Sequence, residues 1–570
     1  MIQSQTETLL GGVDRVTNRY DFIGQELETR TTHEGPKIFD IQWIDVVGVT
    51  VEDDNSLTKS TNSGWSNGGA ASANILSAGE DGWIEMEVAE TNLARMFGLS
   101  DINQNEHYNT IDYAIYPNLH GQVLVFENGV NRGSKGTYQT GDKLSVERVG
   151  NQIFYKKNGT LLYPSTVSST TSLIVDVSLY NVSSTIKSPK ASFGLGDDTS
   201  SDIIITRTFD YDHAGRLINT WHQVNDQDQI LLASNSYNEL GELIEKNLHQ
   251  TSPAGGGAGG GQFAQSIDYR YNIRGWLSSI NNAQLTNTAD NNDTGQATDY
   301  WGMELGYNND LTGVTETPAY NGNISAAKWS DNLGLGNTTN TKERAYAYTY
   351  DPMNRIKRAR HSQYASNWVT NHLFRLEGVS YDLNGNIESL TRKDGAAAIM
   401  DALIYNYNGN QLLRVTDSGD DNQGFKDGTN PGNDYLYDAN GNMTQDLKKD
   451  ITSITYNYLN LPERVKKDAN NNILYTYDAS GIKLRQDVYQ DGALTKTTDY
   501  VGEFIYENNE LQLIQHEEGR IVPALDAGPR TYEYQYYLKD HLGNNRVTFT
   551  TNPKEIDFKL NYESNTADPD

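Results

Sequence analysis

The chain contains no cysteine among its 570 residues. Disulfides and thiolate metal sites are therefore excluded, and cysteine usage carries no compartment signal. Cations are also short: 45 Lys and Arg stand against 75 Asp and Glu, a formal net charge of −30. Such a field repels phosphate backbones and anionic lipid, so a nucleic-acid partner is not expected. No run of about eighteen apolar residues occurs, so no membrane-spanning helix is expected. The opening residues, MIQSQTETLLGG, lack the basic region and apolar stretch of a signal peptide, and any export signal is expected outside this chain. The ten histidines show neither H-E-x-x-H nor a helical ligand pair. No cofactor or metal ion is expected.

Proline is scarce at 13, while glycine reaches 51 and tyrosine 36. Aromatic residues favour strands and glycine favours tight turns, so the composition points to sheet. The length predicts two to four domains.

One pattern recurs. Residues 381–387 read YDLNGNI, and related segments begin at Tyr20, Tyr211, Tyr237, Tyr271, Tyr350, Tyr405, Tyr437, Tyr456 and Tyr477. Asp or Asn always follows the Tyr, and Gly or Asn stands four places on: Asp212 and Gly215, Asp382 and Gly385, Asp438 and Gly441, Asp478 and Gly481. An Asx side chain can bond the backbone two residues on, while Gly and Asn enter the left-handed region at low cost. Each copy predicts a strand ending at Tyr, an Asx-initiated turn, a left-handed residue and a new strand six places after the Tyr. Serial hairpins without helical periodicity predict one long antiparallel sheet that winds or curls. Strands such as TYEYQYY (531–537) put aromatics two apart on one face, so the sheet is expected to have a stacked aromatic side and a polar side.

These Tyr-Asp-x-x-Gly repeats resemble the YD repeats of RHS proteins, a group including bacterial polymorphic toxins, the encapsulating component of Tc toxin complexes and the animal teneurins. The resemblance covers residues 1–36 and about 200–550. YNGNISAAKW (320–329) strengthens it, and DYVGEFIYENNELQLIQHEEGRI (499–521) and YYLKDHLGNNRVTF (536–549) resemble the RHS-associated core. It implies an all-β, spiralling antiparallel shell around a C-terminal toxin or effector cargo, and an extracellular or cell-surface setting. Toxin-carrying members end the core in a Tyr-rich stretch and an Asp-Pro-x-Gly type junction, whereas this chain ends in TADPD (566–570). A fragment or processed piece of a longer chain is expected.

Residues 37–199 have a different texture: short alternating runs such as GQVLVFENG (121–129) and TSLIVDVSLY (171–180) between Gly and Asn turns. They predict an antiparallel β-sandwich and resemble lectin-like or SPRY-like jelly-roll modules. The expected order is a first repeat segment (1–36), the inserted sandwich (37–199), the repeat shell (200–498) and a core segment (499–570). Inserted modules commonly bind, so a glycan or surface protein is the expected ligand, with Trp65, Asn67, Asp112 and Tyr116 as candidate site residues.

Other motifs weigh less. GWSNG (64–68) fits G-x-S-x-G, but a nucleophile elbow needs a strand before and a helix after Ser66, where sheet is expected. DLNGN (382–386) and DANGN (438–442) begin like calcium loops yet lack the twelfth-position Glu; the acidic loop 417–434 is the better cation candidate, against a solvated loop. PAGGGAGGG (253–261) reads as linker and the polar run 286–299 as a loop. The expected function is a non-catalytic scaffold; the alternatives are an adhesin, or a glycosidase using Glu85 and Glu87.

Overall fold

The computed structural model describes residues 2–7, 13–35, 38–194, 202–252, 262–286, 299–308, 311–315, 317–332, 343–364, 367–428, 432–524 and 532–551. The glycine tract 253–261, nearly all of the polar run 286–299, part of the acidic loop and TADPD fall outside the described residues. Everything described is all-β, with single-turn 3-10 segments such as Tyr108–Thr110. The chain divides into two compact units: Met1–Gln3, Thr17–Arg30 and Ile204–Asp570 in one, Ser4–Val16 and Thr31–Ile203 in the other.

In the first unit, strands follow one another as antiparallel neighbours from Leu217–Val224 to Trp368–Thr370, and again from Leu376–Tyr381 to Gln411–Asp417. A two-stranded hairpin, Tyr435–Tyr437 with Met443–Asp446, comes next, and a ten-stranded sheet runs from Ser453–Tyr456 to Asn545–Thr550. The expected single sheet is thus interrupted twice. Residues 418–428 and 432–434 and the 3-10 turn Leu447–Lys449 lie outside strand geometry at those points.

The turns give the reason for the repeat. Asp382 Oδ1 accepts from the amides of Asn384 (2.9 Å) and Asn386 (2.8 Å), and the Asp382 amide donates to Asn386 O at 2.9 Å. The carboxylates of Asp212, Asp438 and Asp478 each hold the amides two and four residues on in the same way, at 2.8–2.9 Å. That geometry leaves the fifth residue left-handed: Gly215 has φ 81°, Gly385 92°, Gly441 86° and Gly481 93°. Asn354 (65°) and Asn460 (58°) fill the same place. Strands end on Tyr211, Tyr381, Tyr437 and Tyr477, and new ones begin on Leu217, Ile387 and Met443.

Most of the repeat tyrosines also reach backward. Tyr237 donates its hydroxyl to Leu217 O (2.8 Å), Tyr381 to Ile356 O (2.7 Å), Tyr456 to Met443 O (2.7 Å) and Tyr477 to Pro462 O (3.0 Å). In each case the acceptor lies six residues after the previous repeat's Tyr. The ladder corrects one alignment. Tyr405 does not begin a turn: Asn406 pairs with Arg414 inside the ladder, and Tyr407 donates to Ile387 O at 2.9 Å. The hairpin there closes tightly over Gly409 and Asn410, so the tyrosine two residues later takes the repeat position.

Neighbouring turns touch as well. Arg216 Nη1 donates to Asn238 O (3.2 Å), Arg274 Nη1 to Tyr320 O (3.0 Å) and Arg355 Nη1 to Asp382 O (3.3 Å). Asn321 Nδ2 donates to Asn354 Oδ1 (2.6 Å), Asn386 Nδ2 to Asn410 Oδ1 (3.1 Å) and Asn442 Nδ2 to Asn460 Oδ1 (3.0 Å). The turns form a column. Tyr437, which donates to Leu412 O at 2.8 Å, and Tyr456 carry that column across both interruptions of the sheet.

The second unit is a sandwich. A seven-stranded antiparallel sheet includes Arg95–Ser100, Tyr113–Pro117, Gln122–Glu127, Leu173–Leu179 and Gly69–Leu76; an eight-stranded one includes Gly82–Glu87, Lys143–Val149, Gln152–Lys157 and Thr185–Ala191. Strict alternation turns Phe97, Leu99, Ile115, Val123, Val125, Val175 and Val177 toward Ile84, Met86, Leu144, Val146 and Ile153, which form one buried core.

Candidate functional site

The opposite face of the seven-stranded sheet carries a second cluster. Met96, Ala114 and Phe126 are buried there with Ile111, and Trp65, Tyr108 and Tyr116 pack on them partly exposed. The Trp65 ring lies 5.0 Å from Tyr108, 5.1 Å from Tyr180 and 5.7 Å from Tyr116, centroid to centroid, the last edge-on. Phe126 meets Tyr108 and Tyr116 at 5.7 Å each. Offset and edge-to-face arrangements of this kind hold aromatic faces in fixed orientations.

Lys59 builds the loop that presents Trp65. Its buried ammonium donates to Gly64 O (2.5 Å), Leu179 O (2.6 Å) and Asn67 Oδ1 (2.8 Å). Burial lowers the Lys59 pKa, and the three acceptors satisfy the buried cation. The Asn67 amide donates onward to Asn62 O at 2.9 Å. Asn67 therefore spends its polar groups closing the loop.

Asp112 belongs to a separate polar group on the same sheet. Its Oδ2 accepts from the Asp101 amide at 2.8 Å, and its own amide donates to Ser100 Oγ at 3.3 Å. Ser100 Oγ donates in turn to Asp176 Oδ2 at 2.8 Å. Burial raises the Asp112 carboxyl above the usual range, with Asp101 adding repulsion. Asp176 is 2% exposed, and burial above all, with the Asp112 charge adding, pushes it up to about 7. Among the described residues no hydrogen bond or ring contact joins Asp112 to Trp65. The structure thus brings Trp65 and Tyr116 together and puts Asn67 and Asp112 to other uses.

Sequence reasoning missed Tyr108, Tyr180, Phe126 and Asp176. The lone carboxylate in TSLIVDVSLY was a legible signal, because an unpaired charge inside an apolar strand needs a partner. Tyr108 lies in the polar stretch NQNEHYNT, where no periodicity marks it.

Other candidates resolve locally. Ser66 is exposed in a turn followed by the strand Gly69–Leu76, and it makes no hydrogen bond among the described residues. Glu85 pairs with Lys143 at 3.3 Å and Glu87 with Lys187 at 2.6 Å across neighbouring strands. In the acidic loop, Lys448 Nζ sits 2.6 Å from Asp427 Oδ1 and 3.3 Å from Asp434 Oδ1, an ammonium where a cation would be held. No group of three or more His, Asp or Glu among the described residues is arranged to hold a metal.

The first unit has a cavity of about 410 Å³ lined by Trp301, Met303, Trp329, Tyr346, His541 and Arg546, with others. Trp329 and Tyr346 stack at 5.7 Å, and Arg546 is held by Asp540 through its Nε at 2.8 Å.

No family model matches the chain, and no curated protein does. Among solved structures, it is similar to a crystal structure of TcdB2-TccC3-TEV at 11% identity and a TM-score of 0.37, over 94% of this chain and 30% of that one. A structure of the Photorhabdus luminescens Tc holotoxin pore with a TccC3-D651A mutation matches at 10% identity and TM-score 0.23, over 95% and 33%. A crystal structure of TcdB2-TccC3-Cdc42 matches at 11% identity and TM-score 0.20, over 95% and 34%. The chain therefore spans 30–34% of the length of these solved chains.

Proposed function

We propose that the first unit is a wall segment of an RHS-type β-shell that encloses or presents a C-terminal toxin or effector cargo, without catalysis of its own. The observation that carries this reading is the column of turns. Each turn is held by its own Asp or Asn side-chain oxygen, and tyrosine hydroxyls tie most repeats to the one before, so the sheet can be extended without a central core. Cross-strand aromatic and hydrogen-bonded pairs contribute roughly 0.2–1 kcal/mol each, and a long wall accumulates many of them. The shell reading places the protein outside the cell or at its surface.

In the same reading the sandwich is a binding module for a glycan or a surface protein. The partly exposed rings of Trp65, Tyr108, Tyr116 and Tyr180 supply stacking faces of the kind that sugar rings use. The lysine pairing of Glu85 and Glu87 favours a structural role for both carboxylates over glycoside hydrolysis.

Electron cryomicroscopy of the purified chain tests the wall. A curved sheet with a solvent-filled concave side is the expected result. A compact body filled with side chains on both faces of the sheet contradicts it.

A further inference from the structure

The cavity of the first unit lies on a sheet face rich in aromatic rings. Trp301–Gly306, Ala326–Asp331 and Arg344–Tyr350 are antiparallel neighbours, with Trp301 opposite Asp331, Met303 opposite Trp329 and Ala327 opposite Tyr346. Residues two apart on a strand share a face, so Trp301 and Met303, Trp329 and Asp331, and Tyr346 and Tyr348 project to one side. Tyr346 stacks on Trp329 at 5.7 Å and lies 6.2 Å from Tyr348. The segment that follows Tyr532–Lys539 brings His541 and Arg546 to this side, and about 410 Å³ remains between. That volume suits a small molecule.

The charges around the cavity select the ligand. Arg546 is already compensated, its Nε and Nη2 lying 2.8 and 2.5 Å from Oδ2 of the buried Asp540. Burial lowers the His541 imidazole below its ordinary value, against the pull of Asp540, so it is uncharged at neutral pH. Its Nδ1 is buried with no hydrogen-bond partner among the described residues. Asp331 is the remaining lining charge, exposed and without an ion pair among the described residues. Aromatic rings attract a cation through their quadrupole, and one carboxylate completes the balance. A primary ammonium fits poorly, because its three N–H groups need acceptors once out of water and the strand backbones here pair with one another. An alkylated nitrogen has no N–H to satisfy and presents methyl groups to the rings.

We propose that this cavity binds a small quaternary ammonium compound, its alkylated nitrogen among Trp301, Trp329, Tyr346 and Tyr348 and its charge balanced by Asp331. A hydroxyl on the ligand donates to His541 Nδ1, so choline is the suitable probe. The net charge of −30 concentrates cations around the chain.

Isothermal titration calorimetry of the whole chain tests this with choline, with the neutral alcohol in which carbon replaces the choline nitrogen, and with ethanolamine and benzoate. Choline should saturate a single site and bind about tenfold more tightly than the neutral alcohol, the scale of a desolvated cation–π contact. Ethanolamine and benzoate should bind more weakly than choline. Asp331→Asn should weaken choline several-fold, leave the neutral alcohol unchanged and melt at the wild-type temperature, because the side chain is exposed and unpaired. Trp329→Leu, checked for a wild-type circular dichroism spectrum, should abolish saturable choline binding. Equal affinity for choline and the neutral alcohol overturns the proposal and leaves a plain apolar site. Tighter binding of benzoate assigns the cavity to anions through Arg546 and also overturns it. So does choline uptake that never saturates, as an acidic surface alone would give, or no uptake at all. Choline affinity unchanged in Asp331→Asn overturns it as well.

Discussion

His222 Nδ1 lies 2.9 Å from the Tyr534 hydroxyl, a contact between residues 312 positions apart. It belongs to a seam within the first unit, where early repeat strands meet the last strands. His249 Nδ1 lies 3.0 Å from the Tyr536 hydroxyl, and the His516 ring stands 6.1 Å from His222 and 5.4 Å from Tyr536. Arg207 pairs with Glu503 and Glu517, and Lys246 pairs with Glu518 at 2.6 Å, so the cations already present are matched by carboxylates. Nε2 of both His222 and His516 is buried with no hydrogen-bond partner among the described residues.

This seam should be sensitive to acid. Burial lowers all three imidazoles: His249 to about 4, His516 to about 3 with Arg207 adding repulsion, and His222 well below its ordinary value. Folded values under the 6.5 of a free imidazole mean that the unfolded chain binds more protons as the pH falls. The stabilisation is complete above about 6.5 and is lost progressively toward the folded values of about 4 and 3. Melting temperature measured through that window should fall steadily, and His249→Gln should flatten part of the slope. A melting temperature constant from neutrality to below about pH 5 would show that the seam histidines do not control stability.

The turn carboxylates add a second acid step at lower pH. Asp382 and Asp438 are held below the ordinary carboxylate range, first by the Asn386 and Asn442 side-chain amides and then by backbone amides. Their contribution is present above the unfolded value near 3.8 and disappears as pH falls through the lower folded values. Asp382→Asn with Asp438→Asn should reduce this second step and leave the histidine step in place, which a pH titration of circular dichroism on the variant and the wild type can read.

Gly441, with φ 86°, tests the turn itself. A Cβ there meets nothing closer than Gln411 Nε2 at 4.0 Å, so a substitution is penalised by backbone conformation alone. Gly441→Val should cost roughly 1–2 kcal/mol in urea unfolding. Gly441→Asn should cost clearly less, because asparagine already occupies the equivalent place at 354 and 460. Equal losses for both variants would contradict the left-handed assignment.

The repeat was legible because each of three residue types at fixed spacing meets a separate physical demand. Tyr closes a strand, Asx holds two amides, and Gly or Asn takes positive φ. Further turns of the same build escaped an alignment anchored on tyrosine, two of them among the repeat and core strands. Asp394 holds the amides of Ala396 and Ala398, and Asp540 those of Leu542 and Asn544, yet Lys393 and Lys539 stand where the Tyr is expected. The back-bonding tyrosine hydroxyls were not legible, since the carbonyl that each one reaches lies in the preceding repeat, whose distance along the chain varies. In the sandwich, alternation announced the strands. It could not announce that Asn67 would be consumed by Lys59, because that contact depends on a buried lysine, a residue type found mostly at the surface.

Lys59→Met should therefore disturb the aromatic face from a distance. The variant leaves Gly64 O, Leu179 O and Asn67 Oδ1 without their donor, and losing hydrogen bonds to a buried charge costs about 3 kcal/mol or more. Trp65 fluorescence and near-ultraviolet circular dichroism should lose their fixed-environment signature, while the main sandwich core survives. An unchanged aromatic signal would show that the loop is held by other contacts.

Expressed alone, residues 38–194 should fold, since among the described residues the main sandwich core runs from Ile41 to Phe193. A cooperative thermal transition is the expected outcome. A fragment that melts without cooperativity would show that the sandwich depends on residues beyond it.

The central claim is that the turn column is continuous through both interruptions of the sheet, joined by Tyr437 to Leu412 O and Tyr456 to Met443 O. Native-state hydrogen exchange tests it directly. The account predicts that the turn amides of Gly441, Asn460 and Gly385 open in one cooperative step, and that Tyr437→Phe with Tyr456→Phe uncouples all three from one another. Independent, fast opening of the Tyr435–Asp446 hairpin in the wild-type chain would contradict a continuous wall.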